Sequence, residues 1–219
     1  MVNICLIRNK SIGTIRTIFT KLNSLNLKKY YVECGMILMN VMLRSSILYA
    51  SETYFDLKEK EVRQLERIEE SFMRQLLKTT KGCPINQLYT ELGQIPARFD
   101  IIKLKLNFLK YILHEPDSLI LKVFQLQIEN PKNSDWASSC IQNLKDLDIH
   151  LSFFEIKWMS QYKFINLIRK QCEESAFRYL MKKRGKKGMG LWLRLTNMLV
   201  NMCLCRSIRK VYMLIFCLL

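Results

Sequence analysis

Pro96-Ala97-Arg98-Phe99-Asp100-Ile101-Ile102-Lys103-Leu104-Lys105-Leu106-Asn107-Phe108-Leu109-Lys110-Tyr111-Ile112-Leu113 decides the fold. Phe99, Ile102, Leu106, Leu109 and Leu113 recur at gaps of 3, 4, 3 and 4, the spacing that lines one side of a helix for packing on its neighbours. Pro96 opens that helix, because a missing N–H is harmless in a first turn. Just upstream, Pro84 starts a short helix that Gly93 ends through a positive-φ cap. Working outward, Ile12, Ile15, Phe19 and Leu22 predict a short first helix, and residues 28–49 a second, buried and central one with Tyr30, Cys34, Ile37, Val41 and Leu48 on one face.

A third helix opens at Asp56-Leu57-Lys58-Glu59, a capping-box pattern, and carries Val62, Leu65, Ile68, Phe72 and Leu76 as its apolar row. Glu59/Arg63 and Glu70/Arg74 are spaced for i,i+4 pairs on an exposed face. Further helices are expected near 118–129 and 135–147. Ser152-Phe153-Phe154-Glu155 is a second capping box, leading a long helix marked by Trp158, Tyr162, Ile165, Ile168, Cys172, Ala176 and Leu180. No segment shows sustained period-two alternation, and 7 Gly and 4 Pro in 219 residues punctuate the chain too sparsely for a many-stranded sandwich or barrel. The expected fold is all-α, an irregular bundle of about seven to eight helices without substantial sheet.

The net charge of +16 is uneven: 1–51 carry +6, 52–130 are neutral, 131–180 carry +1 and 181–219 carry +9. A neutral body with positive ends predicts a polyanionic partner, nucleic acid or an anionic membrane surface. Eight cysteines are scattered without a C-x-x-C, and Cys203 and Cys205 have no histidine near them in sequence, so reduced, mostly buried thiols and no zinc site are expected. That assigns the chain to a reducing interior, cytoplasm or nucleus. The apolar stretch at Met36–Leu43 and the uncharged run Val211–Leu219 are both shorter than the ~20 residues of a transmembrane helix, so no span is expected.

No catalytic signature is present: no nucleophile elbow, phosphate loop, His-Glu-x-x-His or adjacent aspartates. His114 and His150 read as surface imidazoles, and the carboxylates of Glu59–Glu70 as an exposed helix face. No catalytic residue, metal or cofactor is expected.

Leu48-Tyr49-Ala50-Ser51-Glu52-Thr53-Tyr54 resembles the Leu-Tyr-Gly-Ser-Glu-Thr-Trp segment that follows the polymerase palm in reverse transcriptases of LINE-type, non-LTR retrotransposons. The likeness continues in order through Leu65-Glu66, Phe72-Met73-Arg74-Gln75-Leu76-Leu77, Pro84-Ile85, Leu88-Tyr89-Thr90-Glu91-Leu92-Gly93-Gln94-Ile95-Pro96, and Tyr111-Ile112-Leu113. Asn130-Pro131 with Asp135-Trp136, and Ala176-Phe177-Arg178-Tyr179-Leu180 before Lys186-Lys187-Gly188, complete it, so that it covers roughly residues 12–188. Ala50 stands where the family has glycine and Tyr54 where it has tryptophan.

The resemblance implies an RNA-directed DNA polymerase of which this chain is the helical thumb, residues 1–52, and the body behind it, 53–183. Fingers, palm and catalytic aspartates do not occur in it, so a truncated fragment, not an enzyme as it stands, is expected. The tail 184–219 turns abruptly apolar after Gly188 and reads as a slipped frame or decayed end. A thumb grips the outgoing duplex, which implies RNA or RNA/DNA phosphates as partner, bound without base readout. The residues assigned to that contact are Arg8, Lys10, Arg16, Lys21, Lys28, Lys29 and Arg44, with Lys182, Lys183, Arg184, Lys186 and Lys187 of the hinge. The alternatives are a helical protein-interaction module, which would self-associate through exposed apolar faces, and a membrane-surface module using 181–219.

Overall fold

The structure is a computed structural model that describes residues 4–25, 30–54, 57–80, 82–116, 118–131 and 135–182. It is all-α, an irregular bundle, with no strand among the described residues. The helices are α1 (Ile4–Ser24), α2 (Tyr31–Leu38), α3 (Ser45–Ile47), α4 (Glu59–Leu76), α5 (Ile85–Glu91), α6 (Ala97–His114), α7 (Leu119–Glu129), α8 (Trp136–Asp146), α9 (Phe153–Trp158) and α10 (Gln161–Lys182). A π-helical turn, Met39–Arg44, joins α2 to α3, and Ser51–Thr53 form a 3₁₀ turn.

Helix α6 lies between two cores. Ile101 faces the first, built by α1 to α5 around Ile18, Leu43, Leu65, Phe72 and Leu88. Phe99, Leu106, Leu109, Ile112 and Leu113 face the second, with Phe124, Cys140, Ile156, Phe164 and Ile168 from α7 to α10. Phe99, Leu106, Leu109 and Leu113 of the predicted stripe are therefore buried, with Ile102 half-buried beside them, and α6 holds the central place expected of residues 28–49. The change of core falls at α6.

The second predicted helix differs because of its π turn. Gly35, Met39, Leu43 and Ile47 are its buried residues, whereas Tyr30 and Val41 are exposed. Steps of four drift about 40° each on an α-helix, and the wider π turn takes up that drift and keeps the four residues toward the core. Gly35 sits close against α4, where a Cβ would meet the end of the Leu76 side chain and require it to shift. Ala50 follows at φ +55°, a left-handed conformation that disfavours any side chain. That is the position at which the resembling segment carries glycine.

Helix α4 begins at Glu59, where Glu61 accepts a hydrogen bond from the Lys58 N–H at 2.9 Å, so the cap lies two residues beyond the expected box. Asp56 is outside the described residues. Capping of α5 and α6 follows the sequence: Gly93 has φ +60°, the Gln94 N–H donates to the Tyr89 carbonyl, and α6 starts after Pro96.

The Ser152 capping box forms, with Glu155 N–H donating to Ser152 Oγ and Ser152 N–H to the Glu155 carboxylate. The long helix expected after it is two helices, broken at Met159-Ser160. The break has an identifiable cause. The ammonium of Lys110, fully buried on α6, donates to the carbonyls of Ile156, Lys157 and Met159, and so closes the last turn of α9 from inside the protein. Trp158 and Tyr162 stand in solvent, whereas Ile168, Cys172 and Ala176 of the predicted row are buried on α10 and Phe164 joins them.

Replacing Lys110 by Met keeps its apolar stem but leaves those carbonyls without a donor. We expect a loss of about 2–3 kcal/mol in urea unfolding. Lys122→Met, on the exposed side of α7, should stay within about 0.5 kcal/mol of wild type in the same measurement.

Candidate nucleic-acid interface

Helix α1 has no acidic residue and carries Arg8, Lys10, Arg16 and Lys21, all exposed. Its core side is Ile15, Ile18, Phe19 and Leu22, with the Phe19 ring 5.1 Å from that of Phe72 on α4. Helical geometry turns Lys10, Arg16 and Lys21 away from that contact, whereas Arg8 is exposed two turns before Ile15, within about 20° of its direction. Lys10 and Lys21 project within about 20° of each other some 16 Å apart along the axis, whereas Arg16 lies about 120° round the helix from Lys10 and Arg8 lies nearly opposite it. None of the four forms an ion pair with another described residue. Between them lie Gly13, Thr17 and Thr20, and the two hydroxyls fold back onto the carbonyls of Gly13 and Arg16. The result is a low, positive helix face with room for a phosphate backbone to approach.

Of the other assigned residues, Lys182 is exposed at the end of α10. Lys28, Lys29, Lys183, Arg184, Lys186 and Lys187 lie outside the described residues, as does the tail 184–219. Arg44 departs from its expected role. Its guanidinium points inward, with Nε 2.9 Å from Glu69 Oε1, Nη1 2.9 Å from Asp100 Oδ2, and Nη2 donating to the Ile95 carbonyl. It holds α4 to the start of α6 and has no free side for a phosphate.

Around Arg44 the predicted exposed carboxylate face of α4 is largely interior. Glu66, Glu69 and Glu70 are buried. Glu69 Oε2 accepts from the Tyr89 hydroxyl at 3.2 Å and from the Ala97 N–H, the first amide of α6, at 3.1 Å. Arg98 donates to Glu66 and Glu59 while its guanidinium sits 4.4 Å over the Tyr179 ring. Arg63 takes Glu66 and Glu70, so the expected Glu59/Arg63 and Glu70/Arg74 pairs are replaced by contacts between helices and at other spacings; Arg74 donates to the Thr80 carbonyl. A wheel on α4 carries the missed signal: Glu69 falls about 40° from Leu65 and about 20° from Leu76, inside the apolar row.

Burial is the dominant influence on Glu69 and pushes its carboxyl up to about 7; Arg44 opposes the rise and Asp100 adds to it, because one guanidinium serves both carboxylates. Burial likewise pushes the thiols of Cys140 and Cys172 up to about 12, which leaves them protonated and unreactive. Cys34, Cys83, Cys140 and Cys172 are free thiols. Among the described residues no group of three or more His, Cys, Asp or Glu is placed to hold a metal ion, and no helix is long and apolar enough to cross a membrane. His114 ends α6 and His150 lies in the connector before α9, both exposed.

No family model, curated protein or solved structure matches the chain.

The raised Glu69 carboxyl fixes a sign. Between the ordinary carboxylate range and about pH 7 the folded state keeps a proton that the unfolded chain has released, so stability falls as pH rises through that window and is level above it. Thermal melts from about pH 5 to about pH 8 should show Glu69→Gln losing less stability than wild type. A difference between the two proteins that is the same at every pH would contradict the assignment.

Proposed function

We propose that this chain is a thumb-like, nucleic-acid-binding part of a LINE-type, non-LTR retrotransposon reverse transcriptase, gripping duplex phosphates through α1 and performing no catalysis itself. The observation that carries the binding is helix α1, which exposes Arg8, Lys10, Arg16 and Lys21 and has no carboxylate. Most other arginines in the helical body have internal partners, whereas these four cations have none among the described residues. Cations that contact phosphates alone give affinity without base readout, which suits a polymerase that must translocate over every sequence.

Support for the family comes from how the resembling segments meet. The Trp136 indole N–H donates to the Glu52 carbonyl at 2.8 Å, joining two segments that lie 84 residues apart. Tyr89 holds Glu69, Arg98 stacks on Tyr179, and Ala50 takes the backbone conformation suited to the family's glycine. Of these contacts the Trp136–Glu52 bond joins two of the resembling segments, whereas Glu69 and Arg98 lie between them in sequence.

A second reading has one specific observation in its favour. Leu119, Val123 and Leu126 form an exposed i, i+4, i+7 stripe on α7, the pattern of a helix that docks on a partner. Light scattering decides: Leu126→Glu should convert a self-associating wild type to monomer, and a wild type that is already monomeric removes this reading.

The first reading is tested by titrating an RNA/DNA hybrid duplex over a range of salt. Each phosphate contact contributes a slope of about 0.9 in log affinity against log salt, so Arg16→Gln with Lys21→Gln should lower the slope by about 2 and Lys122→Gln should leave it unchanged. Affinity indifferent to salt, or a double variant that binds as wild type does, would refute it.

A further inference from the structure

The break between α9 and α10 leaves a second surface whose chemistry differs from both the α1 face and the α7 stripe. Trp158 is 70% exposed, Phe154 70% and Tyr111 56%, and the Trp158 and Phe154 ring centroids are 6.0 Å apart. One exposed aromatic side chain is ordinary; a set of them on one surface marks a contact site. Tyr111 and Trp158 line a common groove of about 460 Å³ between the end of α6 and the α9–α10 joint, together with His114, Lys157 and Ser160. That volume is in the usual range of small-ligand sites, about 300–1,000 Å³.

The lining contains no carboxylate. The carbonyls of Ile156, Lys157 and Met159, the negative end of α9, are turned onto the buried Lys110 ammonium and so do not oppose an anion in the groove. Tyr111 is itself braced, its ring stacked on Phe108 at 6.2 Å with an interplanar angle of 11°. Rigid aromatic walls beside a lysine match a nucleobase with its attached phosphate. A docking peptide helix would find more aliphatic surface on α7.

We infer that this groove binds unpaired nucleotides of a single-stranded polynucleotide, with a base stacked on the Trp158 indole, Tyr111 as the neighbouring wall and Lys157 on the phosphate. The ligand class rests on the proposed function, but the site is separate from α1, and the two are tested with different nucleic acids. The α1 face takes duplex phosphates in a salt-dependent way, whereas stacking on Trp158 needs a base that is free of its partner strand.

The test uses the full chain and fluorescence anisotropy of dye-labelled oligo-U and oligo-dT of about twelve nucleotides, with a blunt duplex alongside. Trp158→Ala should weaken binding of the single strands about tenfold or more, Trp158→Phe should keep most of it, and neither should change duplex affinity. Oligo-U and oligo-dT compared directly tell whether the groove takes RNA, DNA or both. Circular dichroism checks that the variants fold, which the exposure of Trp158 leads one to expect. Single-strand affinity equal in wild type and Trp158→Ala overturns the inference. So does a Trp158→Ala variant whose light-scattering mass alone changes, since the groove would then be a protein contact. Loss of duplex binding in the α1 variants with single-strand binding intact would bear on α1 only.

Discussion

A carboxylate removed from water needs its charge answered from several directions, and Glu69 is answered from three. Arg44 comes from the π turn, the Tyr89 hydroxyl from α5, the Ala97 amide from the start of α6, and Glu69 itself from α4. At an effective dielectric of about 20 the Arg44 contact contributes a few kcal/mol, while desolvating each ion costs a comparable amount. The network therefore adds little net stability. What it adds is discrimination, because sliding α4 by one turn against α6 would leave buried charges unpaired, at about 3–5 kcal/mol for each broken pair. The apolar contacts of the first core would tolerate such a slide far better.

That constraint reaches the candidate interface through packing. Helix α1 rests on α4 by Phe19 and Phe72, α4 is held to α6 by Arg44, Glu69 and Arg98, and α6 is shared with the second core. The direction in which the α1 cations face is thus set by a buried ion network that none of them joins. The neutral middle of the chain also acquires a meaning: much of its charge is an internal set of crosslinks, with Glu66 and Asp100 each serving two cations. Net charge by segment separated this balanced set from the α1 surplus, although it could not separate Arg44 from the surplus.

Where one local rule decided the outcome, the sequence was legible. The α6 stripe, the Pro84, Gly93 and Pro96 punctuation and the Ser152 capping box all depend on neighbours within a turn or two. Arg44 and Glu69 were misread because their partners lie 20 to 56 residues away, and an arginine looks the same in sequence whether it meets a phosphate or a buried aspartate. The division of the last long helix was illegible for a related reason. The pattern from Trp158 to Leu180 is helical throughout, and only the arrival of Lys110 from α6 makes it favourable to stop at Trp158 and begin again at Gln161.

Lys110 caps α9 from the inside, and the register of that helix, with Trp158 one turn after exposed Phe154 and about 200° round from buried Ile156, keeps Trp158 outside the second core. A tryptophan left in water forgoes about 1.5–3 kcal/mol of burial, which a fold with Ile156 and Phe164 already filling the core does not recover elsewhere. The same ammonium removes the helix's negative end from the surface that Trp158 occupies. An exposed ring and a local field free of competing carbonyls are the two conditions that stacking against an anionic strand requires. The first follows from the register of α9 and the second from Lys110, whereas the phosphate-facing surface on α1 follows from the absence of carboxylates along a single helix. The two candidate contacts are therefore physically independent, and a change that weakens one leaves the basis of the other in place.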